Sequence, residues 1–420
     1  MRMRTALTRT DLAAIDARLA ATDELLATAY PGDDGSRQPV HTVYVAADRY
    51  TPELPFIWGR AALAAADSAG GIEALAGLVG IDAAVTAAVA PRVLEKLERE
   101  PIEDLRIDFE DGYGVRNDDV EDADAVRAAK RIVAAAGAGF APPFIGIRFK
   151  SFEAATRARG IRTLDLFVTE LVEHGALPDG LALTLPKVST VAQVEAMAEV
   201  AAALERALGL PHGRLTFEVQ VETPQLILGA DGRSPVARLP LAVPGRISAL
   251  HYGTYDYSAS LQIAAPYQSM EHPVADVAKE LMQLAVAGTG IRLSDGSTNL
   301  LPIGDRAGEA WRQHARLVRR SLERGFPQGW DLHAHQLPTR FIATYAFYRE
   351  GYPEASARLR DHRARTASAV LDEPATVRAL AAFVLRGVQC GAISAAEVAD
   401  DTGIDESELG ALAHPRRAEP

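Results

Sequence analysis

The strongest constraint on the fold is a regular alternation of short apolar runs with helical patterns. In chain order the runs are TVYVA, LRIDF, FIGIRF, LALTLP, TFEVQVE, ISALHYG and GWDLHAHQ. The polar residues that end successive runs lie 40, 39, 35 and 34 residues apart, at Asp108, Arg148, Lys187, Glu222 and Asp256. From Asp256 to His333 the separation is 77 residues, about two such intervals, which leaves room for a weaker strand near residues 290–293. The sequence therefore predicts eight strands.

Helices are predicted between these strands, over residues 119–136, 163–174, 191–208 and 275–287. Strands that alternate with helices favour a parallel sheet, and eight such units favour a closed (β/α)₈ TIM barrel of the α/β class. An open doubly wound sheet is the main competitor, but its glycine-rich nucleotide-binding signature is absent from the sequence. We expect an N-terminal helical extension over residues 1–40, the catalytic barrel over 41–345, and a C-terminal helical cap or arm over 346–420. The last eight residues are expected to fray.

The composition argues against several classes of partner. A net charge of -12 with no basic stripe is unsuited to nucleic acid. The single cysteine, Cys390, rules out an internal disulfide framework and a cysteine metal cluster. The first 26 residues resemble an amphipathic helix capped near Thr10 and Asp11, not a signal peptide. The alanine-rich residues 60–93 are interrupted by acids, which predicts packed helices and no membrane span. We expect a soluble, cytoplasmic protein.

The stretch LRIDFEDGYG, residues 105–114, places three carboxylates at the end of an apolar strand. Asp108, Glu110 and Asp111 would lose hydration there, which costs free energy unless each charge is paired or binds metal. In a barrel of parallel strands, functional groups collect at the C-terminal ends of the strands. We therefore predict that these carboxylates line the mouth of the barrel.

Two further carboxylates follow consecutive strands. Glu222 ends the run FEVQVE, and Asp256 lies just beyond the next strand in HYGTYDYS. Either acid alone is equally typical of a helix cap or a surface charge. Together, at neighbouring strand ends, they favour a hard divalent cation such as Mg²⁺ or Mn²⁺, because Mg²⁺ commonly takes one or two carboxylates and keeps sites for water and substrate. No histidine–cysteine spacing supports zinc.

Two basic residues also end strands. Arg148, in FIGIRF, needs an anionic partner, and its planar fork suits a substrate carboxylate or a developing enolate oxygen. An internal salt bridge to Asp108 or Glu110 is the alternative, and both roles are compatible. Lys187, in LPKVST, could form a Schiff base, but a nearby metal site favours a structural or electrostatic role.

Two histidines lie in the last predicted strand, in the stretch WDLHAHQ. His333 and His335 flank Ala334. A lone histidine in such a place is more often a structural hydrogen-bonding group than a catalytic base.

Six of these motifs, in this order, carry a family resemblance: LRIDFEDGYG, FIGIRF, LPKVST, VQVETPQLIL, ALHYGTYDYS and WDLHAHQ. Over roughly residues 43–336 the chain resembles the HpcH/HpaI aldolase and citrate lyase β-subunit-like superfamily. Members are Mg²⁺-dependent (β/α)₈ barrels that make or break carbon–carbon bonds next to a carbonyl. The resemblance implies that the metal is held by Glu222 and Asp256. It also implies catalytic roles for Arg148, Glu110 and Asp111, and substrate contacts from Arg148, Lys187 and His333.

The resemblance implies a Mg²⁺-dependent carbon–carbon lyase or aldolase that acts on a small hydroxy- or oxo-acid, or its coenzyme A thioester, through a metal-stabilised enolate. In that role Glu110 and Asp111 would hold metal-bound waters or orient Arg148. A phosphoenolpyruvate- or pyruvate-handling enzyme of the same superfamily is one alternative, and a non-catalytic barrel subunit is another. Relatives form trimers or hexamers, so a homo-oligomer is expected by analogy.

Overall fold

The computed structural model of the chain describes residues 6–175, 177–364 and 373–414. Within these ranges the strands span His41–Ala46 (β1), Asp104–Asp108 (β2), Phe144–Arg148 (β3), Leu181–Leu185 (β4), Phe217–Val221 (β5), Ile247–Tyr252 (β6), Arg292–Ser294 (β7) and Gly329–Asp331 (β8). The helices span Arg9–Ala29 (α1), Leu54–Ser68 (α2), Ile72–Leu78 (α3), Ala83–Arg99 (α4), Asp118–Gly137 (α5), Arg157–His174 (α6), Val191–Leu208 (α7), Pro224–Ile227 (α8), Leu239–Ala242 (α9), Thr254–Ser260 (α10), Pro273–Val286 (α11), Ala307–Glu323 (α12), Leu337–Ala364 (α13), Pro374–Gln389 (α14), Ala395–Thr402 (α15) and Glu406–Ala413 (α16).

The strands form one parallel sheet that closes on itself. Neighbouring strands pair in chain order from β1 to β7, and β8 pairs with β1. The gap between β7 and β8 is closed by a parallel bridge between Ser294 and Gln328, and the Asp295 N–H donates to the Gln328 carbonyl at 2.8 Å. The (β/α)₈ TIM barrel predicted from the sequence is therefore confirmed.

The barrel interior is unusually polar, because the strand alternation turns charged side chains inward. In β2, Leu105 and Ile107 alternate with Asp104 and Arg106, and all of them are buried. The Arg106 guanidinium crosses the interior to Glu218 of β5 at 2.5 Å and also pairs with Asp104. A buried arginine requires such partners, since an unpaired buried charge is very costly.

The helices pack their apolar faces around the outside of the sheet. In α4, for example, Val89, Val93 and Leu97 are buried on one face, and the exposed faces carry the charged residues, as amphipathic helices require. The helix α13 is the longest, at 28 residues, and most of its first three turns are buried. It runs through residue 345, so one helix belongs to both the barrel and the C-terminal region.

The N-terminal helix α1 differs from the others because none of its residues is buried. Its cap is Thr8, two residues before the expected position, and Thr8 and Asp11 bond reciprocally as a capping box. Apolar side chains along it remain exposed, among them Leu12, Ile15 and Leu19.

The last strand is shorter than the sequence predicted. Strand β8 ends at Asp331, and a 3₁₀ turn over Ala334–Gln336 follows it. The expectation that His333 and His335 lie in this strand was wrong: the Gln336 side chain accepts hydrogen bonds from the Leu332 and His333 N–H groups and turns the chain away. The other predicted strands and helices are found near their expected positions. Of the eight terminal residues expected to fray, 415–420 lie outside the described residues. In the described part of the chain, no helix combines the length and apolarity needed to cross a bilayer.

Candidate active site

The predicted site residues lie at the C-terminal ends of neighbouring strands. Arg148 is the last residue of β3, Glu110 and Asp111 follow β2, and Lys187 follows β4. Glu222 comes directly after β5, and Asp256 lies in the first turn of α10, after β6. Because parallel strands bring these ends to one face, the side chains meet at the barrel mouth.

The centre of this cluster is the Lys187 ammonium. Its Nζ lies 3.2 Å from Glu110 Oε1, 3.1 Å from Asp111 Oδ2 and 3.3 Å from Asp256 Oδ1. These three carboxylates come from two different strand ends, so the lysine connects the loop after β2 to the start of α10. The Lys187 side chain is mostly covered, and its carboxylate neighbours raise the pKa of its ammonium against the opposing effect of burial.

Lys187 also holds Glu222 through its backbone. The Lys187 N–H donates to Glu222 Oε1 at 2.7 Å. Lys187 has φ 52°, in the left-handed region that non-glycine residues rarely adopt. Such a conformation persists only where its surroundings enforce it, and it is typical of functional sites. The ends of β4 and β5 are therefore locked together at this residue.

The Glu222 carboxylate lies in a pocket that a glycine makes possible. A Cβ on Gly253, directly after β6, would lie 2.4 Å from the Glu222 Cβ and 2.7 Å from its Oε2. Glu222 is almost completely buried. Any larger residue at position 253 would therefore displace the carboxylate.

The carboxyl groups of the cluster have different pKa values because their surroundings differ. Burial raises the pKa of Glu222 to about 7, although Lys187 and Arg148 oppose the shift. Burial also raises the pKa of Glu110 to about 7, with Arg148 opposing the shift and Asp111 adding to it. Burial acts in the same direction on Asp111, but the Lys187 ammonium outweighs it, and the pKa of Asp111 is lowered. Near neutral pH the site thus holds carboxyl groups that readily gain or lose a proton.

The Arg148 guanidinium is held by four neighbours. Its Nε and Nη2 donate to the two oxygens of Asp108 at 2.7 and 2.8 Å. The guanidinium lies over the Tyr44 ring, with its central carbon 4.7 Å from the ring centroid. The Nη1 group is 3.5 Å from Gln220 Oε1 and 3.6 Å from Glu110 Oε2. The predicted internal salt bridge is present, and Nη1 is the group with the longest contacts.

Asp108 has a second role that explains the glycine after it. Its Oδ1 accepts the Glu110 N–H at 3.0 Å, and its Oδ2 accepts the Gly112 N–H at 2.8 Å. A Cβ on Gly112 would lie 2.6 Å from Asp108 Oδ2. Asp108 thus folds the DFEDG loop around itself while it orients Arg148. Of the two salt-bridge partners expected for Arg148, Asp108 and Glu110, Asp108 is the bidentate one; the holding of metal-bound waters by Glu110 and Asp111 stays a prediction.

The described contacts of the His333 side chain are with His335, not with the carboxylates around Lys187. Its Nδ1 accepts the His335 N–H at 3.1 Å, and the two rings pack edge to face with centroids 4.5 Å apart. Burial, with a smaller contribution from His335, lowers the pKa of His333. The contacts are those of a structural histidine, and its substrate contact stays a prediction.

The donor set at the mouth fits a hard divalent cation. Glu222 and Asp256 offer carboxylate oxygens, which Mg²⁺ prefers, and Glu110, Asp111 and Asp256 all lie within 3.3 Å of the Lys187 ammonium. The acidic oxygens do not all lie within 4.8 Å of one another: in the described residues, the one group of three acids and histidines that close is Glu170, Glu173 and His174, on the surface of α6. A cation at the mouth would therefore use two carboxylates and several waters.

A separate cavity opens at the opposite end of the barrel. It has a volume of about 590 Å³, and its lining includes Arg106, Glu218 and Arg292. None of the predicted site residues lines it. The donors of Arg106 are already used by Asp104, Glu218 and Thr184. We therefore place the functional site at the mouth.

Comparison with known protein families identifies the family of the chain. The model of a family described as "Domain of unknown function (DUF6986)" matches residues 19–417. The chain belongs to the DUF6986 family. A search of curated proteins gives no match to this DUF6986 protein.

Solved structures share the fold of the DUF6986 protein at low sequence identity. A citrate lyase from Burkholderia xenovorans LB400 is 18% identical, with a TM-score of 0.56 over 90% of this chain and 97% of that one. Haloferax volcanii malate synthase, solved as a lead(II) complex, is 16% identical, with a TM-score of 0.50 over 90% of this chain and 89% of that one. The resemblance predicted from six motifs is thus confirmed as a shared fold.

Sequence reasoning missed two residues that build the site. Tyr44 lies under the Arg148 guanidinium, and Gln220 Nε2 donates to the Tyr44 hydroxyl at 3.1 Å. The signal available was the strand alternation: Tyr44 is two residues before the end of β1, and Gln220 is two residues before Glu222 on the same face of β5.

Proposed function

We propose that this DUF6986 protein is a divalent-metal-dependent enzyme that makes or breaks a carbon–carbon bond next to the carbonyl of a small hydroxy- or oxo-acid, free or as its coenzyme A thioester. The observation that carries the proposal is the convergence at the barrel mouth of four carboxylates and one rigidly held arginine. This combination suits a substrate that is anionic and becomes more so during the reaction.

Glu222 and Asp256 would hold Mg²⁺ or Mn²⁺, with Glu110 and Asp111 as acceptors for its waters. When bound, the cation would supply Lewis-acid polarisation of the substrate's carbonyl oxygen. The shared fold with Haloferax volcanii malate synthase, which was solved with lead(II), supports a divalent cation in a barrel of this kind.

Arg148 would bind the anionic oxygen of the substrate. Asp108 and Tyr44 fix its guanidinium, so that Nη1 faces the mouth without needing to reorganise during the reaction. The salt bridge to Asp108 would therefore orient the guanidinium of Arg148 for substrate binding rather than prevent that binding.

Glu110 would move a proton. Its carboxyl group lies between Arg148 and Lys187, at 3.6 and 3.2 Å. With a pKa raised by burial to about 7, it can accept or donate a proton near neutral pH, which is the range in which a general acid or base is most effective.

Proton exchange tests the proposal without knowledge of the physiological substrate. Pyruvate in D₂O should lose its methyl proton signal in NMR spectra when protein and Mg²⁺ are both present. EDTA or the variant Glu222→Gln should stop the exchange. The matched control, Glu170→Gln, removes a charge from the surface of α6 and should exchange at the wild-type rate. A protein that binds Mg²⁺ but exchanges neither pyruvate nor an acetyl thioester would refute the proposed chemistry.

A further inference from the structure

The position of the Lys187 ammonium is the feature that the proposed function leaves unexplained. Nζ lies 3.1–3.3 Å from Glu110, Asp111 and Asp256. It thus occupies the centre of the negative charge that a divalent cation would neutralise. A lysine that only packed against the mouth would contact one of these groups; this one lies between all three.

We propose that Lys187 is a built-in counter-cation that fills the cation position in the metal-free protein and must be displaced before a divalent ion binds. This proposal rests on the proposed function, because it assumes the metal site at Glu222 and Asp256. It assigns to Lys187 a role beyond substrate contact: the residue sets the metal affinity of the site.

Two features of the chain make the displacement feasible. Lys187 is anchored by its backbone, since its N–H donates to Glu222 Oε1, so the side chain can leave while Glu222 stays in place. The side chain is flexible and 22% exposed, so the ammonium has a path to solvent.

Simultaneous occupancy is disfavoured by charge and by size. An ammonium and a divalent ion that share Asp256 and lie beside the same acidic pair, Glu110 and Asp111, would repel each other strongly at short distance. Carboxylate oxygens lie about 3 Å from a lysine nitrogen but about 2.0–2.1 Å from Mg²⁺, so the cluster must also contract around the metal.

The consequence is a measurable loss of affinity. In most molecules of the metal-free protein, the Lys187 ammonium would occupy the carboxylate cluster. The apparent affinity for Mg²⁺ then equals the intrinsic affinity multiplied by the fraction of molecules in which the ammonium has left the cluster. The variant Lys187→Met keeps the length of the side chain and the backbone anchor but removes the ammonium. It should bind Mg²⁺ about tenfold tighter or more.

The experiment is a calorimetric titration of wild type, Lys187→Met and the control Arg99→Met with Mg²⁺. Arg99 is an exposed arginine paired with Glu95 on α4; its removal lowers the net charge equally and should leave affinity unchanged. Thermal melts without metal provide a second measurement. Lys187→Met should melt lower than wild type, because Glu110, Asp111 and Asp256 lose their shared counter-ion, and should gain more from Mg²⁺.

A crystal soaked with Mn²⁺ separates displacement from a simple effect of charge. The expected result is an anomalous peak at the carboxylate cluster, with Nζ no longer within hydrogen-bond distance of Asp111 and Asp256. A peak beside an unmoved lysine would overturn the proposal, as would equal or weaker Mg²⁺ binding by Lys187→Met.

If wild type binds Mg²⁺, such a failure leaves the proposed function intact. If neither protein binds a divalent ion, the proposed metal site and this proposal are both wrong. If only Lys187→Met binds, the lysine is a permanent substitute for the metal, which overturns both its displacement and the proposed metal-dependent function of the wild-type protein.

Discussion

At the scale of single residues, Arg148 shows how a salt bridge and a binding role coexist. Asp108 uses Nε and Nη2 of the fork, and Nη1 has only longer contacts, at 3.5 Å to Gln220 and 3.6 Å to Glu110. We expect Arg148→Lys to lower the rate of proton exchange or turnover on the order of 10²-fold, because lysine cannot pair with Asp108 and reach the substrate together. Mg²⁺ affinity should change much less.

The control for that variant is Arg162→Lys, since Arg162 also forms a two-point pair with a carboxylate, Asp122, but on the outer surface. It should keep the wild-type rate. A near-normal rate for Arg148→Lys would assign Arg148 to the structural salt bridge alone.

The metal assignment has its own test in the pair Glu222→Gln and Asp256→Asn. Both variants should fold and should lose Mg²⁺ binding in calorimetric titrations. A fold that survives is expected because each amide keeps the size and the hydrogen-bond acceptor of the acid. Unchanged affinity in both variants would contradict the assignment.

Glu222→Gln should also change the pH dependence of the metal-free protein. Burial raises the pKa of Glu222 from 4.5 to about 7 in the folded state, so the folded protein binds the proton more tightly than the unfolded chain. The contribution of Glu222 to the free energy of unfolding of wild type therefore falls as pH rises from about 4.5 to 7. The variant should be more stable than wild type above pH 7 and lose that advantage below pH 4.5. Thermal melts across this range, in EDTA, check the sign.

At the scale of elements, the sequence predicted the order of strands and helices well. The hydrophobic period changes between 2 and 3.6 at each boundary, and α7 was predicted over its observed bounds, Val191–Leu208. The end of β8 was not predictable in this way. The stretch WDLHAHQ continues the strand pattern, and the turn depends on one side chain, Gln336, that bonds two backbone N–H groups.

The detail of the site was also beyond the sequence, because its contacts join distant residues. Asp108 and Arg148 are 40 residues apart, and Arg106 and Glu218 are 112 apart. The motifs located the charged residues at the strand ends, but three acids and one arginine allow several pairings of similar energy. Which carboxylate orients the arginine is decided by the register of β2 and β3, in which Asp108 lies directly beside Arg148.

Glu103, directly before β2, joins α4 to the segment that leads into β1. Its Oε2 accepts the Val40 N–H at 2.8 Å, and its Oε1 pairs with Lys96 of α4 and Arg37. Burial opposes its ionisation, but Lys96 and Arg37 lower the pKa of Glu103 to about 2. Its contribution to stability is therefore present above pH 4.5 and lost as pH falls toward 2.

We expect Glu103→Gln to lower the free energy of unfolding at pH 7 by roughly 2–3 kcal/mol, with a difference that shrinks below pH 4.5. Denaturant titrations at several pH values measure it. Glu95→Gln, on the exposed face of α4 beside the Glu103 partner Lys96, is the control and should change stability by less than about 0.5 kcal/mol. Equal curves for Glu103→Gln and wild type would show that the buried charge is not stabilising.

At the scale of the whole molecule, the two ends of the chain relate to the barrel in opposite ways. Helix α1 buries none of its residues. The C-terminal helices α14–α16 and the turn between α14 and α15 bury an apolar set against α13 and each other, which includes Val384, Leu385, Ile393 and Leu409. The Tyr345 hydroxyl also donates to the Cys390 carbonyl at 2.8 Å. The sequence classed both regions as helical additions to a barrel, but packing makes one of them part of the core.

Two truncations test this contrast. Removal of residues 1–28 should leave the thermal midpoint of the monomeric fold within roughly 2 °C of the full chain, because none of the described residues in this segment, 6–28, is buried. Removal of residues 373–420 should prevent folding or lower the midpoint steeply. Each fully buried side chain such as Val384 or Leu409 contributes about 1.5–3 kcal/mol, and several together approach the 5–15 kcal/mol that stabilises a typical domain. A large loss of stability on removing residues 1–28 would show that α1 packs against a surface in solution. A chain without residues 373–420 that melts like the full chain would show that the barrel folds independently of α14–α16.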